Sequence, residues 1–190
     1  MTRIGVLRAG YAALAVAFLA AVGTFAAGNL LFVELLAALV AAILLAASGE
    51  DLPKWTGWAL LVYFLLTILS FFAATPITID KGGGFFVNGK PAAFLVNVQS
   101  YLLQAFGVTL AGATLAASWE RERGARNLAA ASLAGFVLFA ILSYTLKPST
   151  GADAGVAVQQ GGFIQILAAL AALAGLASAA WCAARPDEFA

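Results

Sequence analysis

The sequence predicts an all-α membrane protein, a single bundle of six transmembrane helices with small loops outside the bilayer. Hydrophobic residues make up 63% of the 190 residues and charged residues only 10%, whereas typical soluble domains contain about 45–50% and about 25%. The apolar residues form stretches of the roughly 20 residues that cross a hydrocarbon core. Because proline disrupts a helix interior, the five prolines should lie outside these stretches, as they do: Pro53, Pro76, Pro91, Pro148 and Pro186.

The first apolar stretch, residues 4–48, is too long for one span and divides at the Gly-Asn pair at 28–29. We expect helix 1 at about 5–26 and helix 2 at about 30–48, followed by a charged break at 49–54. A short basic start before an apolar run is also compatible with a cleaved signal peptide, which would leave five spans. The apolar run continues beyond any such cleavage site, which favours a retained helix.

Charged or proline-containing turns divide the rest of the chain. A charged turn at 120–126 separates helix 4 from helix 5, and the Lys-Pro pair at 147–148 ends helix 5. We expect the remaining helices at about 55–75, 96–118, 127–146 and 163–181. The long connection 76–95 contains two short apolar stretches, 77–79 and 85–87, on either side of three glycines. This pattern is compatible with a small β-hairpin outside the membrane.

Positive charges favour a cytoplasmic N-terminus, and an even number of helices then places the C-terminus in the cytoplasm too. In this orientation the inner segments contain Arg3, Arg8, Lys54, Arg121, Arg123, Arg126 and Arg185. The outer segments contain only Lys81, Lys90 and Lys147. The tryptophans also fall at the inner ends of helices, where indoles anchor at the interface: Trp55, Trp58, Trp119 and Trp181. The predicted location is a plasma or inner membrane, crossed several times.

Composition excludes several classes of function. The chain has no histidine, which excludes histidine-ligated haem, histidine-containing metal sites and histidine acid–base catalysis. Its one cysteine, Cys182, cannot form an internal disulfide. A net charge of +1 without a basic cluster argues against a nucleic-acid partner. The spans contain neither a nucleophile–base arrangement nor a carboxylate pair, so we expect no enzyme activity, cofactor or metal.

Glu34 is the one acidic residue predicted within a span, and it is the main candidate for a functional site. A charge at the bilayer centre costs at least about 2.5–3.5 kcal/mol, so it usually faces a partner or a wet cavity. Gln99 and Gln165 occupy similar positions in helices 4 and 6, at spacings of 65 and 66 residues. This spacing suggests three tandem helical hairpins. The three side chains would then surround an outward-facing pocket for a cation, a proton or a small polar solute, unless they reach headgroups or bond between helices.

Small residues recur at four-residue spacing in helices 1, 4 and 6. The three ladders are Ala9, Ala13, Ala17 and Ala21; Ala105, Thr109, Ala113 and Ala117; and Ala171, Gly175 and Ala179. Such faces pack helices within a chain, and they serve equally to dock a membrane protein partner or a second copy. With six spans in 190 residues, the helix 1 ladder is similar to that of the substrate-binding components of energy-coupling-factor vitamin transporters. The resemblance implies that this ladder contacts a partner transmembrane subunit, although no vitamin-site motif accompanies it.

Two functions remain open from the sequence. The first is a transport component, either a channel, a carrier or a substrate-capturing subunit, with its polar pocket near Glu34. The second is a non-catalytic subunit of a larger membrane complex of the respiratory or secretion type. The small number of residues outside the predicted spans and the small-residue faces favour the second, whereas the intramembrane carboxylate favours the first.

Overall fold

The computed structural model describes residues 2–24, 30–73, 77–79, 85–87, 90–91, 106–145 and 154–185. Within these ranges the chain forms helices α1 (Arg3–Thr24), α2 (Leu31–Ala46), α3 (Asp51–Ala73), α4 (described over Phe106–Ala117), α5 (Arg123–Thr145) and α6 (Ala154–Ala184). The prediction of an all-α fold with six helices is therefore confirmed.

A small antiparallel sheet lies in the connection between α3 and α4. Its strands are β1 (Ile77–Ile79), β2 (Phe85–Val87) and β3 (Lys90–Pro91), paired in the order β1-β2-β3. In the first pair, Ile77 is opposite Val87 and Ile79 is opposite Phe85. The two apolar stretches singled out in the sequence thus form a β-hairpin. The third strand, which includes a proline at the edge of the sheet, was not predicted.

Three helices, α3, α5 and α6, begin at least four residues earlier than the sequence indicated. Helix α5 begins at Arg123, inside the predicted charged turn at 120–126. Helix α3 begins at Asp51, so Pro53 lies in its first turn rather than in a loop. Proline is tolerated there because the N–H that it lacks would have no partner inside the helix. Helix α6 begins at Ala154, well before the predicted start at 163. The predicted turn at 28–29 and the first part of predicted helix 4, residues 96–105, lie outside the described residues.

Helix α1 has a central position in the bundle. It packs against α2 and α6, while α5 packs against α6 and α2 against α3. The side chains of Tyr11, Leu14 and Phe18 on α1 are completely buried. Because these are among the largest buried side chains in the described chain, α1 is an integral part of the core.

Glycines allow close approach between helices at two places. A Cβ atom on Gly57 of α3 would lie 2.2 Å from the backbone nitrogen of Ala46 and 2.6 Å from the carbonyl oxygen of Ala42. A Cβ atom on Gly175 of α6 would lie 2.5 Å from the ring of Phe18. Backbone and ring atoms occupy the space of the missing side chains, so the helices pack more closely than larger residues would allow.

The outer surface of the bundle is apolar as well. Large hydrophobic side chains such as Leu36, Leu65 and Leu170 are more than half exposed. Three helical segments of the described chain are long and apolar enough to cross a membrane: Arg3–Gly23, Arg123–Leu142 and Phe163–Ala184. Val33–Ala46 and Phe106–Ala117 are shorter apolar segments. Helices that are hydrophobic on all sides are typical of membrane proteins.

Candidate functional site

Most of the described charged residues gather at one end of the bundle, which we call the charged end. It comprises the start of α1, the α2–α3 turn at 47–50, the start of α3, the α4–α5 turn at 118–122, the start of α5 and the end of α6. Gly49 has a φ of +81°, which favours glycine and reverses the chain into α3. The side chain of Arg3 lies beside Gly49, and Gly124 lies against the Trp181 ring. Successive helices therefore run in opposite directions.

Arg121 is buried at the charged end in a network that joins four elements. Its side chain is only 8% exposed and donates a hydrogen bond to the carboxylate of Glu50 in the α2–α3 turn. Its guanidinium carbon lies 5.9 Å from the ring centroid of Tyr11 on α1. The Tyr11 hydroxyl donates in turn to the carbonyl oxygen of Ala117, the last residue of α4.

The electrostatic environment keeps the Arg121 guanidinium charged. Burial by itself would lower its pKa, but the hydrogen bond to the Tyr11 side chain and the nearby Glu50 carboxylate raise the pKa above its ordinary value. A guanidinium already remains protonated in proteins without such help. Arg121 is therefore a permanent buried cation, and the Glu50 carboxylate is one of its partners.

A second group of contacts at the charged end joins α6 to the start of α5. The Glu122 carboxylate accepts a hydrogen bond of 2.8 Å from the Trp181 indole and forms a salt bridge of 3.0 Å with Arg185. Deeper in the bundle, the Ser178 hydroxyl donates to the carbonyl oxygen of Ala125 at 2.8 Å. The end of α6 is therefore fixed by both exposed and buried bonds.

Tryptophan side chains surround the charged end. All four lie on the parts of α3, the α4–α5 turn and α6 nearest this end, and all four are exposed: Trp55, Trp58, Trp119 and Trp181. Cations lie over three of the rings, at 5.6 Å for Lys54 over Trp55, 5.5 Å for Arg126 over Trp119 and 5.8 Å for Arg185 over Trp181. Exposed indoles paired with cations are suited to the boundary between hydrocarbon and headgroups.

Glu34 lies far from the charged end, in the first turn of α2. It is twelve residues from the last residue of α2, or about 18 Å along the axis at 1.5 Å per residue. Only 7% of the residue is exposed, because it continues the buried stripe formed by Ala38, Ala41 and Leu45 at helical spacing. Within the described part of the chain, the Glu34 carboxylate has neither a hydrogen-bond partner nor an ionic partner.

The other two candidate site residues have different positions. Gln165 is exposed on α6, between the exposed side chains of Phe163 and Ile166. Gln99 lies outside the described residues. Because Glu34 is buried and Gln165 is exposed, the two described side chains have different environments. A pocket shared by all three stays a prediction, as does the threefold hairpin repeat.

The described ladders of small residues pack mainly inside the chain. Ala171, Gly175 and Ala179 on α6 are all buried, and Gly135 of α5 approaches Ala171 closely. On α1, Ala17 and Ala21 of the ladder are buried as well. Ala9 and Ala13 are partly buried, as are Thr109 and Ala113 on α4, where Ala117 is buried. Ala105 lies outside the described residues.

The described residues contain no cluster of three or more histidine, cysteine, aspartate or glutamate side chains that could hold a metal ion. Comparisons with known protein families, with curated proteins and with solved structures find no match to this chain.

The contacts of Tyr11, Glu50 and Arg121 are the feature that could not be predicted from the sequence. Their one local signal is that Tyr11 is the only residue with a polar tip between Arg8 and Thr24 of α1.

Proposed function

We propose that the protein is a multi-pass component of a plasma or inner membrane, with six helices crossing the bilayer and both termini in the cytoplasm. The three long apolar helices and the apolar outer surface support this proposal. The gathering of arginines and tryptophans at one end supports the orientation, since positive charges concentrate on the cytoplasmic side and indoles anchor at the interface.

Within that membrane, we propose that the protein is a transport component whose pocket includes Glu34. The observation that carries this proposal is an acidic residue that is only 7% exposed in an apolar bundle and whose carboxylate has no partner among the described residues. Burying such a group costs free energy, and ionisable residues inside membrane spans are usually retained because they bind or relay a solute.

The chemistry of the carboxylate limits what the pocket binds. A buried carboxylate can accept a proton, pair with a cation or accept hydrogen bonds from a small polar solute. In the proposed orientation Glu34 lies toward the outer face, because α2 begins at the end opposite the charged end. The solute therefore enters from outside. Gln99 and Gln165 would add amide groups to this pocket if the three hairpins are equivalent.

The experiment is reconstitution of the purified protein into liposomes. Proton flux is followed with an enclosed pH-sensitive dye, and Na⁺ and K⁺ fluxes with radioactive tracers. We expect Glu34→Gln to lower the wild-type flux by at least about tenfold, the size of effect that follows from losing about 1.4 kcal/mol of interaction. Glu120→Gln is the matched control, because it removes an exposed carboxylate at the charged end. Equal flux in wild type and Glu34→Gln would exclude Glu34 from the mechanism.

The exposed Gln165 favours a second function, that of a non-catalytic subunit in a larger membrane complex. An amide on the apolar outer face of a span has no water to bond with, so a helix from a partner would satisfy it. Extraction in a mild detergent followed by native mass spectrometry tests this function. A heteromeric species that dissociates in Gln165→Leu would support it, whereas a single chain or a homo-oligomer would exclude it.

A further inference from the structure

The buried network at the charged end crosses nearly the whole bundle. Tyr11 belongs to α1, Glu50 to the α2–α3 turn, Ala117 to α4 and Arg121 to the α4–α5 turn. Cys182 lies in the last turn of α6, at the same end of the bundle. The guanidinium bonds to a carboxylate 71 residues away in sequence, and the Tyr11 hydroxyl bonds to a carbonyl oxygen 106 residues away. Both bonds lie at the end of the bundle opposite Glu34.

Burial of the members of this network is unequal. The Arg121 side chain is 8% exposed and Tyr11 is completely buried, whereas the Glu50 side chain is 42% exposed. A buried cation is costly without anionic compensation, and Glu50 is the carboxylate that the described structure pairs with Arg121. Because Glu50 is already partly in water, the carboxylate can leave at modest cost. This half-exposed pair is therefore the point at which the network would open.

We propose that Tyr11, Glu50 and Arg121 form a latch that closes the charged end of the bundle and opens to release solute to the cytoplasm. The closure follows from the contacts, and the release step rests on the proposed transport function. When the latch opens, Arg121 exchanges Glu50 for water or for anionic headgroups at the same level, which accept guanidinium hydrogen bonds equally well. The hydroxyl of Tyr11 leaves the end of α4 at the same time.

Cys182 reports the state of the latch. It is the only cysteine of the chain, it lies in the last turn of α6, and it is 3% exposed. A membrane-impermeant maleimide added to the charged-end side should therefore label the wild-type protein slowly, through transient opening only. The rate of labelling measures the open fraction and requires no knowledge of the solute.

The decisive variant is Glu50→Gln, which keeps the size of the side chain and removes its charge. We expect Cys182 to react about tenfold faster in this variant, because the hydrogen bond between two charged groups is lost. Glu120→Gln changes the same kind of residue at an exposed position in the α4–α5 turn, and it should label at the wild-type rate. Labelling of Glu50→Gln within twofold of wild type would overturn the latch.

Tyr11→Phe is a second test of the latch, and this conservative substitution should leave the fold intact. It retains the ring beneath Arg121 and removes only the hydroxyl that bonds to Ala117. We expect faster labelling here as well, with circular dichroism and elution volume equal to wild type. If this conservative variant labels at the wild-type rate, the hydroxyl has no part in the latch and the proposal fails in its stated form.

The two proposals fail separately. Faster labelling in Glu50→Gln together with unchanged flux in Glu34→Gln would overturn transport at Glu34 and leave the closure standing. Unchanged labelling together with lost flux in Glu34→Gln would overturn the latch and leave the transport proposal standing.

Discussion

The two ends of helix α2 differ in the environment that surrounds a carboxylate. Immediately after its C-terminal end, Glu50 pairs with the buried Arg121 in contact with Tyr11. Near its N-terminal end, Glu34 is more deeply buried than Glu50 and yet has no partner among the described residues. One helix and its following turn thus carry two carboxylates in contrasting environments.

The contrast separates structural charge from functional charge. A charge that is surrounded by bonds between elements contributes to the closure of the fold, and its removal should loosen the bundle. A buried carboxylate without a partner lowers stability, and its retention suggests a use in binding. Three changes test this distinction, beginning with the largest expected effect.

The substitution Gly57→Ala should destabilise the protein most. Its added Cβ atom would meet the backbone of α2 at 2.2 Å, and backbone atoms cannot rotate away as a side-chain tip can. The helices α2 and α3 would separate, and the turn that carries Glu50 would shift with them. We expect a loss of about 3 kcal/mol in the free energy of unfolding, as for overpacked cores, measured by thermal or chemical unfolding in detergent micelles.

Gly112→Ala is the control for this prediction. A Cβ atom on Gly112 of α4 would meet only the tip of Leu133, at an ordinary contact distance of 3.9 Å. Alanine is favoured over glycine in a helix by about 1 kcal/mol, so this variant should match or exceed wild-type stability. Equal destabilisation by the two variants would show that the close approach of α2 and α3 is not the cause of the lost stability.

Composition and local pattern were sufficient to predict the six helices, and they were compatible with the hairpin. Apolar stretches of spanning length gave the helices, and the alternation of short apolar stretches with glycines gave β1 and β2. The early start of α6 was missed because Gly161 and Gly162 resemble a loop, although the alanine, valine and glutamine residues around them are compatible with a helix. At 31 residues, α6 is about 46 Å long, which exceeds the hydrocarbon core of about 30 Å.

The candidate site was predictable only in part. Glu34 was found because an acid in an apolar helix is visible in the sequence itself. The contact of Tyr11 with Arg121 and the close packing of Gly57 on α2 were not, because they depend on which helices are neighbours and on their rotation. Residues 106 positions apart form the Tyr11–Ala117 bond, and no local pattern encodes such a pairing.

The substitution Glu34→Leu is expected to stabilise the protein. Leucine has a similar volume, prefers the apolar surroundings and removes a carboxylate without a partner in the described chain. Replacing buried charged groups with apolar residues often stabilises by 1–4 kcal/mol, so we expect a gain of about 2 kcal/mol. Unfolding in micelles measures the gain, and the liposome assay should show that flux is lost in the same variant.

Arg121→Met is the matched control for the pair at the C-terminal end of α2. It likewise replaces a buried charge with an apolar side chain, but it removes the bonds to Glu50 and the contact over Tyr11. It should lower stability where Glu34→Leu raises it. Destabilisation by both variants would mean that Glu34 has a structural partner, and the distinction between the two ends would no longer hold.

The smallest effect is expected from Arg185→Gln, which tests whether every charge at the charged end matters. The Arg185 side chain is 54% exposed, and its bond to Glu122 lies at the surface. Exposed ion pairs contribute about 0.2–1 kcal/mol, so the unfolding free energy should fall by about 0.5 kcal/mol. The rate of Cys182 labelling should remain at the wild-type value, because the Trp181 indole still bonds to Glu122 and the latch residues are untouched. A tenfold increase in that rate would instead show that the exposed ion pairs keep the charged end closed. The buried guanidinium of Arg121 would then not be the group that closes it.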